Sequence, residues 1–200
     1  MYYLFIFTLF LLSLPLQMII SVCIFLDSGY PVLFKQIRIG VKNKPFVMFK
    51  FRTMVIGSEK IQHTLKEKNE ADGPVFKIRN DPRFTRIGRF LSHTGFDELP
   101  QLWNVLIGDM ALIGPRPLPL EEASKLTLWQ KKRHAVKPGI ISPWILDGYH
   151  SKPFNTWMRS DIDYTKKKSF IYDLRICLWM IPYLWSLTTR EIINPQKEEV

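Results

Sequence analysis

The first 26 residues carry no charged side chain and are nearly all apolar: after Met1 they read YYLFIFTLFLLSLPLQMIISVCIFL. As a helix rising 1.5 Å per residue the run is about 39 Å long, enough to cross a hydrocarbon core of about 30 Å. It is not expected to be a secretory signal, since it has no basic n-region and no small-residue cleavage site. Pro15 sits at its middle, with Ser13 and Gln17 nearby. A proline removes one helix hydrogen bond and kinks the chain, and a neighbouring hydroxyl can satisfy part of what is lost. The residues alone fit two forms equally. One is a spanning helix with a tolerated proline; the other is a helix-break-helix that enters one leaflet and returns.

All of the +10 net charge lies in the remaining residues, and 200 residues in total suit one domain of ordinary size. An excess of Lys and Arg beside an apolar anchor points to anionic headgroups or phosphate-bearing substrates. It also places the basic part on the cytoplasmic side. No nucleic-acid-binding signature accompanies the charge. Lys35 to Arg52 holds six basic residues and no acidic one, interleaved with Phe34, Phe46, Phe49 and Phe51. Residues 31–39 and 45–51 alternate as two strands joined by a turn at 40–44. Their basic side chains read either as a solvated face or as a patch for phosphates. Cys23 and Cys177 both lie in apolar stretches and read as buried thiols, with no disulfide or metal site.

Chemistry concentrates between Phe96 and Pro117, FDELPQLWNVLIGDMALIGPRP. Leu99, Leu102, Trp103 and Leu106 fall on one face of a helix, Pro100 is tolerable in its first turn, and Gly108 suits a left-handed stop. Asp97 is then placed like an N-cap at the positive end of the helix dipole. Pro115-Arg116-Pro117 holds one guanidinium in a rigid turn, which suits phosphate. Taken singly, each piece also reads as an ordinary cap or an exposed turn.

Elsewhere, residues 55–72 read as a solvated amphipathic helix. Arg83, Arg86 and Arg89 follow at i, i+3 and i+6, one helix face that either binds phosphate or is merely solvated. Glu121 to Val136 reads as a helix with a basic end, Lys131-Lys-Arg-His134, where His134 is a neighbour of that end rather than a base. Phe170 to Thr188 is apolar and aromatic but interrupted by Asp173, Arg175 and Pro182, a pattern that fits an interfacial helix.

The whole string resembles the catalytic domain of the bacterial sugar transferases, the polyprenyl-phosphate phosphoglycosyl transferases. The matching residues are Pro31–Gln36 with Arg38 and Gly40, Phe49–Met54, Asp81–Phe90, Asp97–Val105, Gly108–Met110, Gly114–Pro117 and Val136–Gly139, in order along nearly the whole chain. The resemblance implies an α+β, mostly helical fold: a re-entrant membrane helix hairpin at 1–26, a cytosolic catalytic domain at 27–188 with short strands and interfacial amphipathic helices, and a polar tail at 189–200. It implies transfer of a sugar-1-phosphate from a UDP-sugar to polyprenyl (undecaprenyl) phosphate at the bacterial inner membrane, on the cytoplasmic face. UMP leaves, and a glycan such as exopolysaccharide, O-antigen or capsule is begun. Asp97 would be the nucleophile of a covalent aspartyl-phosphosugar intermediate. Glu98 would join it in holding Mg²⁺ or manage a proton. Lys50, Arg52, Arg86, Arg116 and Asp161 would bind phosphate or substrate. Membrane lipids are the further partner expected, nucleic acid is not, and a homo-oligomer is left open.

One loop departs from the family pattern. Ile141 stands for a threonine, Ser142 for a glycine, Ile145 for a glutamine and Tyr149 for an arginine, while Trp144 and Gly148 are kept. If the loop faces sugar or phosphate, losing donors there costs about 1–3 kcal/mol per unpaired partner. Trp144, Ile145 and Tyr149 are therefore candidates for sugar choice. The same change favours an alternative, an inactive membrane-bound scaffold or sugar-nucleotide sensor. A tethered binder of nucleic acid or acidic lipid is favoured by charge alone.

Overall fold

The computed structural model describes residues 2–78, 80–144 and 152–193. The apolar run forms a single continuous helix, α1 (Tyr2–Ser28), with Pro15 inside it. The two arms expected from the resemblance are not seen. Its hydroxyls bond back onto the helix, as Thr8 Oγ1 does to Leu4 O, Ser13 Oγ to Phe10 O and Ser21 Oγ to Gln17 O. An apolar helix thereby satisfies its few polar side chains internally.

Both ends of α1 rest on the remainder of the chain. Near its start, Ile6 is fully buried with Met48, Val105 and Met110, and the Leu112 N–H donates to the Tyr2 hydroxyl at 3.1 Å. Near its end, Ile20 and Ile24 pack with Phe51 and Leu91, and the Ile87 N–H donates to Asp27 Oδ2 at 3.2 Å. Between these anchors Leu11, Leu12, Leu14, Leu16, Met18 and Ile19 stay exposed.

The expected hairpin is present. Strands β1 (Leu33–Ile39) and β2 (Pro45–Phe51) pair antiparallel from Leu33↔Phe51 to Ile39↔Pro45, around a 3₁₀ turn at Val41–Asn43. Residues 55–72 do not make one amphipathic helix. They form a single turn, α2 (Ser58–Ile61), that runs into a 3₁₀ stretch at Gln62–Lys68. Helix α3 (Arg86–Thr94) is capped by Thr85, whose Oγ1 accepts from the Gly88 N–H. That start excludes Arg83 from the helix, so the three arginines share no face. Arg83 is buried instead, 2.6 Å from Asp81 and over the Phe76 ring. A Cβ on Gly88 would overlap the Thr53 carbonyl, so glycine lets α3 lie directly on the exit of β2.

After a 3₁₀ turn at Phe96–Glu98 comes α4 (Gln101–Leu106), which ends before Gly108 at φ +88°. Strands β3 (Ala111–Ile113) and β4 (Gly139–Ile141) pair in parallel, linked through α5 (Leu120–Ser124) and a 3₁₀ segment at Gln130–Ala135. The chain closes with α6 (Phe154–Lys167) and α7 (Phe170–Ile193). Helix α7 packs on α3 and runs past residue 188 into the expected tail, where Glu191 Oε1 lies 2.7 Å from His93 Nδ1. It leaves Phe170, Ile171, Trp179 and Trp185 exposed. The architecture is α+β and mostly helical, with four short strands among the described residues.

Candidate active site

Three elements bring four charged side chains to one place. On β2, alternation puts Lys50 on the face of Phe46 and Met48, the face that packs towards α1 and α4. Gly95, at φ +77°, ends α3 in a left-handed turn and redirects the chain into the 3₁₀ turn that carries Asp97 and Glu98. The rigid turn after β3 carries Arg116. Lys50 Nζ lies 3.1 Å from Asp97 Oδ2 and 2.8 Å from Glu98 Oε1, and Arg116 Nη1 lies 2.9 Å from that same Glu98 oxygen.

What holds β2 against α4 is a side chain that the sequence reading did not single out. Asn104 is fully buried in α4; its Oδ1 accepts from the Phe49 N–H at 3.1 Å, and its Nδ2 donates to Val47 O at 2.7 Å. Those two bonds fix Lys50, the next residue of the strand, opposite the carboxylates. Asp97 itself is not an N-cap: α4 starts at Gln101 after Pro100, with no side-chain cap. Nor is the expected apolar face uniform, because Trp103 is 47% exposed and lies beside the Phe10 ring of α1.

The two carboxylates sit in contrasting fields. Burial pushes the Asp97 carboxyl above its ordinary range, and Lys50 and Arg116 offset this only in part. Glu98 is half-buried, and Lys50 and Arg116 together override its desolvation and hold its carboxyl well below the ordinary range. The two carboxylate oxygens that face Lys50 converge on its ammonium. Among the described residues no three or more His, Cys, Asp or Glu side chains gather as a metal cluster. Two carboxylates alone suit Mg²⁺, which takes one or two carboxylates and draws its remaining oxygens from phosphate and water.

The other candidates lie apart. Arg52 is buried and its Nη2 donates to Ser28 O, Ser28 Oγ and Gly29 O, so it fastens the end of α1. Arg86 is exposed on the first turn of α3, with no link to the cluster among the described residues. Asp161 is completely buried on α6, where Arg133 Nε and Nη2 lie 2.8 and 2.6 Å from its Oδ2. Its desolvation pushes the carboxyl up to about 6 in spite of Arg133 and the Trp144 indole. Asp161 is therefore paired internally, apart from the cluster. Trp144 stacks on Trp157, ring centroids 5.0 Å apart, in the core around Ile39 and Leu118. Ile145 and Tyr149 lie outside the described residues. His134 is buried, and its desolvation, with Arg133 and Lys131 nearby, lowers it to about 4, so it stays neutral near pH 7.

Residues 2–186 match the model of the bacterial sugar transferases. The chain belongs to that family. Among curated sugar transferases it is 39% identical over 152 residues to the galactosyl transferase CpsE of Streptococcus agalactiae, covering 76% of this chain and 34% of that one. It is 38% identical over 154 residues to the sugar transferase EpsL of Bacillus subtilis, covering 76% of this chain and 70% of that one. It is 34% identical over 174 residues to the UDP-glucose:undecaprenyl-phosphate glucose-1-phosphate transferase of Escherichia coli, covering 83% and 35%. The chain thus spans about a third of the length of two of these three sugar transferases.

Proposed function

We propose that this chain is a membrane-associated phosphoglycosyl transferase, moving a sugar-1-phosphate from a UDP-sugar to undecaprenyl phosphate at the cytoplasmic face of the inner membrane. The single observation that carries the reading is the gathering of Asp97, Glu98, Lys50 and Arg116 in a member of this family. One carboxylate is buried and weakly compensated, and two cations stand where phosphate charge would arrive. The related transferases support donor and acceptor class, and they differ in sugar: one is named a galactosyl transferase, another a glucose-1-phosphate transferase.

In the proposed chemistry an Asp97 carboxylate oxygen attacks the β-phosphorus of the UDP-sugar in line. The bond from that phosphorus to the bridging oxygen breaks, and UMP leaves with the electron pair. The acyl phosphate so formed is then attacked by a phosphate oxygen of the lipid, which regenerates Asp97 and gives a lipid diphosphosugar. Lys50 and Arg116 offset the charge that develops on the leaving phosphate. Asp97 and Glu98 would hold Mg²⁺, which when bound supplies Lewis-acid neutralisation of the diphosphate. Because the acceptor does not leave the bilayer, the nucleophile has to work at its surface. The exposed apolar middle of α1 and the exposed aromatics of α7 supply the lipid-facing groups.

The altered loop gives the inactive-relative alternative less support than its sequence suggested. Ile141 is a strand residue: its carbonyl accepts from the Gly114 N–H at 3.0 Å and its side chain packs beside Ile113, Tyr164 and Ile176. An apolar residue there belongs to the core. The test is labelled UDP-sugar without lipid, which should leave label on the wild type but not on Asp97→Asn. Turnover should vanish in the same variant, because an amide of nearly equal shape is a far weaker nucleophile. Full turnover in Asp97→Asn would sink the assignment.

A further inference from the structure

The turn that presents Arg116 is fastened through its carbonyls. Pro115 and Pro117 have no N–H to give, so order in this segment has to come from the bonds it accepts. The Gly139 N–H donates to Pro115 O at 3.1 Å, Arg133 Nη2 to Arg116 O at 2.5 Å, Arg38 Nη1 to Pro117 O at 2.8 Å, and the Ile39 N–H to Leu118 O at 3.0 Å. Four consecutive carbonyls are each taken by a different donor. Two of those donors are backbone groups that any sequence would supply. The other two are guanidiniums, and Arg133 is the one anchored in turn by a second side chain, Asp161, at the centre of α6.

Neither member of that pair touches solvent: Arg133 is 1% exposed and Asp161 0%. Buried ion pairs add little stability that well-packed apolar residues would not, because desolvation consumes the attraction. What this pair adds is a donor of fixed direction at one carbonyl. We propose that Arg133, held by Asp161, is a positioning residue of the transferase, fixing the main chain of Arg116 so that its guanidinium meets Glu98. The proposal rests on the phosphoglycosyl transfer reading for its catalytic half, while the clamp itself is a matter of main-chain order.

The two halves can be measured separately. Arg133→Met combined with Asp161→Leu removes the donor without leaving a buried charge alone. Hydrogen exchange reads the clamp, since Arg116 carries the only amide N–H between Pro115 and Pro117. Its exchange should accelerate in the paired variant while amides of the β1–β2 hairpin keep wild-type rates. UMP release reads the catalytic half. The paired variant should lose at least roughly tenfold in kcat/KM. Adding Arg116→Ala should cost nothing further, because both changes disable one group. Unchanged exchange and rate would overturn the proposal. So would a loss that multiplies with that of Arg116→Ala, or a paired variant that fails to fold, since either would assign Arg133 to general stability. A wild type that releases no UMP would overturn the transfer reading and the catalytic half with it, while exchange at Arg116 still decides the clamp.

Discussion

Asp97 and Glu98 are neighbours in sequence, one buried and the other half-buried, yet they are pushed in opposite directions because two cations reach Glu98 and only one reaches Asp97 at short range. Asp97 has to be ionised to act as a nucleophile, so its raised pKa predicts an acid limb of kcat/KM above the ordinary aspartate value of about 3.9. Lys50→Met removes the nearest positive charge and should move that limb to higher pH while lowering kcat; a limb that stays in place would separate Lys50 from Asp97. Glu98 has the other sign. Its folded-state pKa is depressed, so its contribution to stability is present above about pH 4.3 and is lost as pH falls through the folded value. Asp97, raised, opposes this: its contribution is present at low pH and is lost as pH rises through its folded value. Denaturant unfolding of the wild type should therefore show stability falling from pH 4 to lower pH more steeply than in Glu98→Gln. Equal slopes would mean that the contacts of Glu98 contribute nothing to the fold.

At the scale of elements, the site depends on how β2, α3 and α4 are locked together, and here single atoms matter. Asn104→Ala would strand the Phe49 N–H and Val47 O at a cost of about 1–3 kcal/mol. Thermal unfolding should show a lowered midpoint, and activity should fall further than stability explains, because Lys50 follows Phe49 directly. The hairpin, the Gly108 stop and the apolar helix were legible because alternation, a left-handed glycine and an uncharged run are local signals. The cluster of Lys50, Asp97, Glu98 and Arg116 was legible because the string around each resembles a known family. Arg133 was not: it stands among Lys131, Lys132 and His134, and nothing local separates a buried guanidinium from its solvated neighbours. Asp161 shows the converse. Its position resembled a substrate-binding aspartate, but which way it faces is decided by α6 packing on the 130–135 segment, a long-range fact. The expected cap at Asp97 failed for a similar reason, since Gly95 starts a 3₁₀ turn that postpones α4 to Gln101.

For the molecule as a whole, the decisive feature is that α1 touches the body at both ends. A span would leave Tyr2 across the bilayer from the domain. Yet the Tyr2 hydroxyl accepts from Leu112, and Ile6 is buried with Met48, Val105 and Met110, residues of the same body that holds Asp97. Crossing the membrane would require all of those contacts to break and would uncover Met48, Val105 and Met110 to water, at about 1.5–3 kcal/mol for each such side chain fully exposed. The start of α1 is therefore expected on the same side as the catalytic cluster, with the exposed stretch from Leu11 to Ile19 as the part that meets lipid. A single cysteine at Tyr3, in a background without Cys23 and Cys177, should resist a membrane-impermeant thiol reagent in intact cells and react once the membrane is opened. Labelling from outside would establish a span. Pro15→Leu should leave the protection unchanged, because α1 is already continuous through Pro15 and the docked ends, not the proline, keep it on the domain. If that substitution alone sends Tyr3→Cys to the outer surface, the proline governs topology and the contacts of Tyr2 and Ile6 are too weak to hold it.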